Sequence, residues 1–309
     1  MASSSSKPFV CCIAGPTGAG KTAAALALAG QQPVAVINAD SRQTYRDFPI
    51  ITAQPSAGEQ SVCPHLLYGF LPTEEKLGAG AWSRLAGQAI DGSLDLARLP
   101  LLVGGTGLYF KALLEGIAPI PAIPPDVSRK WLERCEDEGS LALHRLLSES
   151  DPEYAAKIHP NDRQRITRAL EVLDATGKTF TWWHSRTPAG SPYRTCKIGI
   201  ALGLDELDPI LAQRIELMFE QGALEEAARA KEICTDPAAP GWSGIGCAEV
   251  YRYLEGELSL DECLELWRKN TRAYAKRQLT WFRADKEIRW FRPEQADEIV
   301  RFVSTAESS

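Results

Sequence analysis

The fold of this chain is decided by the stretch Gly15-Pro16-Thr17-Gly18-Ala19-Gly20-Lys21-Thr22. It has the form G-x-x-x-x-G-K-T, in which glycines allow successive backbone N–H groups to turn towards an anion. The apolar run 9–14 before it predicts a buried strand, and the alanine- and leucine-rich run 23–29 after it predicts a helix that ends at Gly30. A strand, a glycine loop and a helix in this order indicate a phosphate-binding loop. The alternative interpretation is a glycine-rich turn that binds nothing.

Besides its backbone amides, the loop region offers three groups that could bind a phosphate and its metal ion: a helix N-terminus, an ammonium and a hydroxyl. The N-terminus of the following helix adds a partial positive charge. Lys21 supplies a point charge for the outer phosphates, and the Thr22 hydroxyl is a candidate ligand for a bound Mg²⁺ ion. The residues predicted to bind a diphosphate or nucleotide are Gly15, Pro16, Thr17, Gly18, Ala19, Gly20, Lys21 and Thr22.

Length and composition limit the class of protein. The chain has 309 residues, 44% of them hydrophobic, which suffices for one large domain or for a core with a smaller unit. No apolar stretch approaches the roughly 20 residues of a membrane span, and residues 1–7 read as a frayed tail without a secretory signal. Eight cysteines without C-x-x-C spacing and only four histidines favour reduced thiols over disulfides or a zinc site. We therefore expect a cytoplasmic protein with no membrane partner.

The charge of the chain is unevenly distributed. The net charge is −6, which taken alone argues against nucleic acid. Residues 267–292, however, contain nine Lys or Arg and two acidic residues, a net charge of +7, so the remainder carries −13. A basic stretch on an acidic body indicates a localised contact surface for a polyanion.

A second predicted strand, 33–38, is followed by Ala39 and Asp40. In a doubly wound sheet, ligands bind outside the carboxyl ends of the strands, so Asp40 should lie at the same edge as Lys21. A carboxylate there is a candidate base or metal ligand. The alternative is an aspartate that caps a helix. Ser41 and Arg42, which follow, are polar, and the arginine suits a phosphate.

A third predicted strand, 99–103, ends in Gly104-Gly105-Thr106-Gly107. A P-loop ATPase usually carries an acidic residue at this point, which holds Mg²⁺ and assists hydrolysis. Glycines instead let another molecule approach the backbone closely, and Thr106 offers a hydroxyl. We therefore expect this turn to admit a bulky flat partner rather than to serve ATP cleavage. The alternative is a tight turn into the next helix.

The fold class expected from this order is α/β, a P-loop NTPase-like core with a parallel sheet flanked by helices, plus a helical insertion domain. Prolines and glycines make 44–80 irregular, and the proline-rich run 117–125 reads as a stiff connector. The predicted domains are a first part of the core at 8–118, the helical insertion domain at 119–190, and a continuation of the core at 191–300. Other predicted elements are a strand at 197–204 and helices at 81–96, 208–222 and 225–233.

Two predicted helices carry cations that could contact phosphate. In 160–172, Gln164, Arg165 and Arg168 share one side, whereas Ile166 faces a core. A longer helix opens with a capping box formed by Ser259 and Glu262. Its predicted buried stripe is Leu264, Trp267, Thr271, Tyr274, Gln278 and Trp281, with cations along the stripe's edge. Cations interleaved with aromatic residues suit phosphates and stacked bases. In both helices the alternative is a solvated basic face.

Several stretches together resemble the tRNA dimethylallyltransferases. They are Gly15–Thr22, Asn38–Tyr45, Thr52–Pro55, Leu102–Tyr109, Asn161–Val172 and Thr271–Arg283. The stretches occur in the family's order from residue 10 to about residue 290, so the resemblance covers nearly the whole chain. One departure is Gly246-Cys247-Ala248-Glu249, where the family commonly has Gly-Tyr-Lys-Glu. The loss of an aromatic residue and a cation puts a ligand role for that turn in doubt.

The resemblance implies a reaction. A dimethylallyl group passes from dimethylallyl diphosphate to N6 of the adenine adjacent to the anticodon in tRNA, and diphosphate leaves. Asp40 would take the proton of the adenine amine, and Thr106 would orient the base. Lys21, Thr22 and Mg²⁺ would stabilise the departing diphosphate, with Arg214 as a further contact. The residues that would contact the tRNA anticodon stem-loop are Asp40, Ser41, Arg42, Gln43, Thr106, Arg129, Gln164, Arg165, Ile166, Thr167, Arg168, Lys276, Arg277, Gln278, Leu279, Thr280, Trp281, Phe282 and Arg283.

Three other functions stay open at this point. A relative could prenylate free adenine nucleotides, but the basic stretch 267–292 would then have no partner. The loop and Asp40 alone would also fit a small-molecule kinase. A non-catalytic RNA-binding protein with a vestigial loop is the third. We expect a monomer, because no further apolar stripe is left over.

Overall fold

The computed structural model describes residues 7–188 and 190–309; the rest of the expected N-terminal tail lies outside the described residues. Six parallel strands form one sheet in the order β3-β2-β4-β1-β5-β6. The strands are β1 (Phe9–Ala14), β2 (Val34–Asn38), β3 (His65–Leu66), β4 (Leu99–Gly104), β5 (Arg194–Ile200) and β6 (Arg289–Phe291). The helices are α1 (Lys21–Ala29), α2 (Ala57–Val62), α3 (Ala79–Asp95), α4 (Gly107–Leu114), α5 (Pro125–Glu138), α6 (Ser140–Ser150), α7 (Pro152–Ala155), α8 (Arg163–Thr176), α9 (Phe180–His184), α10 (Leu204–Glu220), α11 (Ala223–Ile233), α12 (Cys247–Leu254), α13 (Leu260–Arg283) and α14 (Ala296–Ser308).

The central strands are buried on both faces, which is why they read as continuous apolar runs. In β1, Cys11 and Ile13 face a core completed by α1, α10, α13 and α14. Val10 and Cys12 face the opposite core, which α3 and α4 complete. Since parallel strands need long crossovers, helices cover both faces of the sheet. The predicted α/β class, with a parallel sheet flanked by helices, is confirmed.

The chain separates into two compact units. One runs up to Leu114 and continues over Ser191–Ser309; the other is Glu115–Gly190. The described part of the second unit contains helices α5–α9 and no strand. Its core includes Trp131, Leu143 and Ile166, each of them buried. No helix in the described ranges combines the length and the apolar character needed to cross a bilayer.

Most predicted elements are present, with some corrections. The strands expected at 9–14, 33–38 and 99–103 are confirmed to within one residue. The strand expected at 197–204 ends earlier, at Ile200, because Gly203 caps α10 and Leu204 already belongs to that helix. The segment 44–80 is not irregular throughout. It contains α2, which a Ser56–Glu59 capping box opens, and the short edge strand β3.

The long basic helix α13 is confirmed, but its buried stripe is shifted at the C-terminal end. Ser259 accepts a hydrogen bond from the Glu262 N–H at 3.3 Å, as the capping box predicts. Trp281, which was expected to be buried, is 45% exposed, and Phe282 is buried in its place. The reason is the helical period of 3.6 residues: over five turns, steps of three and four drift off the buried side.

Candidate active site

The phosphate-binding loop connects β1 to α1, as its sequence predicts. Gly18 and Gly20 have φ angles of 78° and 89°, in the left-handed region that favours glycine. The helix begins at Lys21, so its free N–H groups point towards the loop. Thr22 is exposed, and its hydroxyl has no hydrogen-bond partner within the described part of the chain. The turn therefore presents backbone donors and one free hydroxyl at the carboxyl edge of the sheet.

Two cations gather at this loop. The Lys21 ammonium donates to the Pro16 carbonyl at 2.7 Å. The pKa of Lys21 is lowered to about 8, mainly by burial; the charge of Asp40 opposes this shift, and the charge of Arg214 adds to it. Burial also lowers the pKa of Arg214, which extends from α10 and forms no hydrogen bond or ion pair with any described residue. Two desolvated cations without a bound carboxylate make an electropositive site that a bound anion would stabilise.

A buried amide fixes the backbone around Asp40. Asn38, fully buried at the end of β2, accepts a hydrogen bond from the Asp40 N–H at 2.7 Å. Its side-chain nitrogen donates to the carbonyls of Asp40 at 3.0 Å and Leu67 at 2.9 Å. Sequence reasoning missed this role for Asn38. The signal was present, however, because an amide that ends a buried apolar strand must find buried partners.

The two carboxylate oxygens of Asp40 have different surroundings. Oδ1 accepts the Arg42 N–H at 2.9 Å, which fixes the rotation of the carboxylate. Oδ2 has no hydrogen-bond partner among residues 7–188 and 190–309. One oxygen is thus anchored while the other is free to accept a proton or a hydrogen bond from a ligand.

Thr106 joins the turn after β4 to the turn after β2. Its N–H donates to the Ala39 carbonyl at 3.1 Å, and its hydroxyl accepts the Ser41 N–H at 2.9 Å. The same hydroxyl donates to the Ser41 side chain at 3.3 Å. Tyr274, on α13, lies near the same turn: burial, and after it the charge of Asp40, raise the pKa of this tyrosine, and Thr106 acts in the opposite direction. Sequence reasoning placed Tyr274 only in a buried stripe. The structure brings it to the same turn as Thr106.

The glycines of the turn after β4 serve the protein's own side chains. A Cβ at Gly105 would lie 1.9 Å from Gln278 Nε2, and a Cβ at Gly107 would lie 1.9 Å from Trp281 Nε1. Both residues belong to α13. The expectation that this turn admits a bulky flat partner is therefore wrong for these two positions, because α13 already fills the space that the glycines leave.

Comparison with known proteins identifies the family. The model of the IPP transferase family matches residues 43–285, and the model described as isopentenyl transferase matches residues 8–62. The chain is 59% identical over 298 residues to the tRNA dimethylallyltransferase of Nitratidesulfovibrio vulgaris, with 96% of each chain covered. The chain belongs to the tRNA dimethylallyltransferase family. The resemblance found in the motifs is thereby confirmed.

More distant family members share the whole architecture. The tRNA dimethylallyltransferase of Nitrobacter hamburgensis is 43% identical and covers 92% of this chain, which covers 91% of it. The crystal structure of the full-length tRNA isopentenylpyrophosphate transferase of Bacillus halodurans superposes with a TM-score of 0.72 at 33% identity, covering 98% of this chain and 97% of that one. A eukaryotic dimethylallyltransferase acting on tRNA gives a TM-score of 0.80 at 27% identity, covering 97% of this chain and 77% of its own. The P-loop NTPase-like fold class of the family agrees with the prediction.

In this family member, several of the residues predicted to contact tRNA form hydrogen bonds within the protein or are buried. Arg42 donates to the Pro240 carbonyl at 3.2 Å and to the Ser243 hydroxyl at 2.9 Å. Gln43 donates to the carbonyls of Thr52 and Ala53 at 3.0 and 2.6 Å. The side chains that are buried, and so removed from the contact surface, are Ile166, Thr167, Gln278, Leu279 and Phe282. They support the two basic helices from within.

The exposed basic surface of α13 is narrower than its sequence indicates. Arg268 is paired with Glu216, and Arg272 is paired with Asp205 and Asp208 on α10. Lys276, Arg277 and Arg283 are exposed and form no ion pair within the described ranges. Thr280 and Trp281 are exposed beside them. Apart from Lys269, which is also exposed and unpaired among the described residues, the uncompensated cations of the helix therefore lie in its last two turns.

The second unit carries its own exposed polar side on α8. Gln164, Arg165 and Arg168 are exposed there, as their spacing predicts. Arg165 lies 3.4 Å from Asp162, and Arg168 lies 2.5 Å from Glu171, so both arginines have a carboxylate neighbour. Arg129 is exposed on α5. The solvent-accessible pair of Arg165 with Asp162 is weak and can open for a phosphate, whereas Arg168 is paired with a buried carboxylate.

Proposed function

We propose that this protein transfers a dimethylallyl group from dimethylallyl diphosphate to N6 of the adenine adjacent to the anticodon in tRNA. The products are N6-dimethylallyladenosine and diphosphate. Membership of the tRNA dimethylallyltransferase family supports the reaction class. The observation that carries the assignment of the site is the position of Asp40, whose charge acts on the half-buried cations Lys21 and Arg214. A proton acceptor thus stands beside an anion site.

The donor half of the reaction uses the anion site. The loop amides, Lys21 and Arg214 bind the diphosphate of the donor. As the allylic C–O bond breaks, its electron pair moves to the diphosphate oxygen, and these fixed charges stabilise the growing negative charge. The donors are in place before the reaction, so little reorganisation is needed. This role also accounts for a phosphate-binding loop whose sheet edge lacks the acidic residue of an ATPase at Gly104–Gly107.

The residues at the loop suit Mg²⁺. The Thr22 hydroxyl is exposed, and the described residues contain no cluster of three or more His, Cys, Asp or Glu side chains that could hold a metal alone. Mg²⁺ typically keeps several waters and binds through one or two protein groups plus substrate phosphates. We therefore assign Thr22 as its protein ligand. The ion would supply additional positive charge to the diphosphate.

The acceptor half of the reaction uses Asp40. The N6 nitrogen attacks the allylic carbon and forms a C–N bond, and the proton lost from N6 passes to the free oxygen Oδ2. The fixed Oδ1 and the Asn38 amide hold this oxygen in position. Ser41 and Thr106, joined by their hydrogen bonds, orient the base. Because the target adenine must reach a site inside the protein, it leaves its stack in the anticodon loop.

The tRNA itself would bind to exposed cations. Lys276, Arg277 and Arg283 on α13 form one contact surface, and Gln164, Arg165 and Arg168 on α8 form another. Phosphate contacts of this kind weaken with increasing salt, because binding releases counterions from the nucleic acid. We propose that the enzyme acts as a monomer in the cytoplasm, where unmodified tRNA is available.

The assay that tests the function combines the protein, unmodified tRNA, Mg²⁺ and labelled dimethylallyl diphosphate. We expect label in tRNA, at one adenine next to the anticodon, in amounts equal to the diphosphate released. A competition with excess AMP distinguishes the tRNA enzyme from a relative that prenylates free nucleotides. Label in AMP but not in tRNA would favour that relative, and ATP consumption without allyl transfer would favour a kinase. An absence of label with tRNA from every source tested would overturn the proposal.

A further inference from the structure

One buried side chain bonds to both glycine-rich turns of the active site. The Gln278 Oε1 atom accepts the N–H of Thr17 in the phosphate-binding loop at 3.0 Å. Its Nε2 atom donates to the carbonyl of Gly105, beside Thr106, also at 3.0 Å. The residue is only 4% exposed. A single amide on α13 therefore connects the diphosphate side of the site to the adenine side.

The orientation of this amide is fixed by its partners. The Thr17 N–H can only donate and the Gly105 carbonyl can only accept. A flipped amide would therefore place its NH₂ group against the Thr17 N–H and its oxygen against the Gly105 carbonyl, so neither hydrogen bond could form. The space for it is equally fixed, because a Cβ at Gly105 would lie 1.9 Å from Nε2 and 3.3 Å from Asp40 Oδ2. An apolar side chain here would leave the buried Gly105 carbonyl and the partly buried Thr17 N–H unpaired, which costs more than the loss of an ordinary surface hydrogen bond.

The helix that carries Gln278 also carries the uncompensated cations. Arg277 is its neighbour in sequence, and Trp281, one turn on, fills the space beside Gly107. A polyanion that binds to α13 therefore acts on a rigid element whose buried side holds both turns. A displacement of α13 cannot change one turn without changing the other.

We propose that Gln278 is a positioning residue that couples the donor site to the acceptor site, rather than a contact to tRNA. It fixes the distance and orientation between the phosphate-binding loop and the Gly105–Thr106 turn, so that the allylic carbon and the adenine amine meet in reactive geometry. The inference rests on the proposed function. Its thermodynamic consequence is reciprocal: RNA bound to α13 strengthens diphosphate binding, and diphosphate strengthens RNA binding by the same factor.

The first experiment measures this coupling. The Kd of Mg²⁺–diphosphate is determined for the protein alone and for the protein saturated with an anticodon stem-loop RNA. For the wild type we expect RNA to tighten diphosphate binding by roughly 5-fold or more, in the usual range of coupling between sites. In Gln278→Met, which has nearly the same size and no amide, the ratio of the two Kd values should fall to about 1. The matched control is Asn270→Ala, which removes another side-chain amide of α13, one that bonds to Glu249 at 2.6 Å. It should keep the wild-type ratio.

The second experiment separates positioning from folding. Gln278→Met should lower kcat by about 10- to 100-fold with a small change in the KM for tRNA, because misplaced reactants cost rate rather than affinity. In Gln278→Glu, a protonated carboxyl has the donor and acceptor pattern of the amide, whereas the carboxylate lacks the donor. The kcat of this variant relative to wild type should therefore increase as the pH is lowered. The same ratio for Gln278→Met should not depend on pH.

The outcomes are distinguishable. A wild-type ratio of 1, or a Gln278→Met variant that keeps both the wild-type ratio and the wild-type kcat, overturns the coupling while leaving the function intact. If the ratio of the two Kd values falls to about 1 in Asn270→Ala as well as in Gln278→Met, α13 acts through its general stability. That result would also overturn the specific role of Gln278. If the wild type transfers no label to tRNA under any condition, the proposed function fails and this inference fails with it.

Discussion

Two glycine-rich turns lie at the carboxyl edge of the same sheet, and they use their glycines in opposite ways. In Gly15–Thr22 the glycines adopt positive φ angles, and Lys21, which follows them, lies near Arg214 of α10 with no carboxylate of the described residues bound to either cation. In Gly104–Gly107 the missing side chains make room for Gln278 and Trp281 of the same chain. A glycine run therefore does not by itself indicate a ligand. What fills the space beside it decides whether the turn binds a substrate or positions a residue that does.

The largest effect is expected at the carboxylate that lies between the two turns. Asp40→Asn keeps an oxygen for the Arg42 N–H but removes the proton acceptor. We expect kcat to fall by about 100- to 10,000-fold, the usual contribution of general base catalysis. Steady-state transfer of label to tRNA measures it, and the Kd for an anticodon stem-loop should stay within about threefold of wild type.

Asp47→Asn is the matched control for this change. Asp47 is a partly buried carboxylate that accepts a hydrogen bond from Thr73 at 2.7 Å, outside both turns. It should keep nearly full activity. If Asp40→Asn is as active as Asp47→Asn, Asp40 is not the general base, and the reaction does not take place at the carboxylate between the two turns.

The second prediction tests whether the turn after β4 is filled by the protein itself. In Gly105→Ala the new methyl group would meet Gln278 Nε2 at 1.9 Å, so the amide must move. We expect kcat to fall by roughly 10- to 100-fold through lost positioning, with the diphosphate Kd changed much less. Gly92→Ala, on the exposed side of α3 with no atom within 4 Å of its Cβ, is the control and should stabilise the protein by about 0.5–1 kcal/mol. Full activity of Gly105→Ala would show that the turn accommodates the methyl group without displacing the Gln278 amide from a productive position.

The comparison of the turns also shows where sequence reasoning ends. The strands and the first turn could be predicted because apolar runs and the P-loop spacing are local signals. The proximity of Asp40 to Lys21 could be predicted because parallel strands end at one edge. The helical spacing of α13 predicted that Gln278 is buried, but it could not identify Gly105 as its partner, since the two residues are 173 positions apart. The family resemblance assigned the same glutamine to the tRNA surface, which its burial contradicts.

The exposed and buried members of α13 illustrate this limit further. Trp281 and Phe282 are adjacent, both are aromatic, and either fits a pattern of threes and fours. The structure buries Phe282 against Phe110, with ring centroids 5.7 Å apart, and exposes Trp281. A rotation of the helix by about 100°, one residue, would exchange them. The period of 3.6 residues places position 282, rather than 281, on the buried side of α13, and Phe110 of α4 packs against it.

The third prediction concerns the pH dependence of the open turn. Lys21 has a pKa lowered to about 8, and a bound diphosphate would favour its charged form. Its charged form dominates below that pH, so the affinity for Mg²⁺–diphosphate should be nearly constant there. It should fall as the pH rises above 8, by up to about tenfold per unit if only charged Lys21 binds. Isothermal titration between pH 6.5 and 9.5, approximate limits chosen around this pKa, measures the profile.

Lys21→Arg provides the reference for this titration. A guanidinium stays charged over the whole range, so the variant should show only the titration of diphosphate itself. The ratio of wild-type to variant affinity for diphosphate isolates the contribution of the Lys21 protonation. A ratio that does not change with pH would mean that Lys21 remains charged without a ligand, and that the first turn is less desolvated than its surroundings indicate.

The smallest effect is expected on the outer surface of α13. Arg277→Gln removes an unpaired cation, whereas Arg272→Gln removes one that Asp205 and Asp208 already compensate, the latter at 3.0 Å. We expect Arg277→Gln to weaken anticodon stem-loop binding by roughly 3- to 10-fold and to reduce the salt slope by about 1. Arg272→Gln should change either value little. Equal losses in the two variants would contradict the division of α13 into compensated and free cations. Since Arg277 is adjacent to Gln278, a normal kcat in Arg277→Gln at saturating RNA would also separate the binding side of the helix from its positioning side.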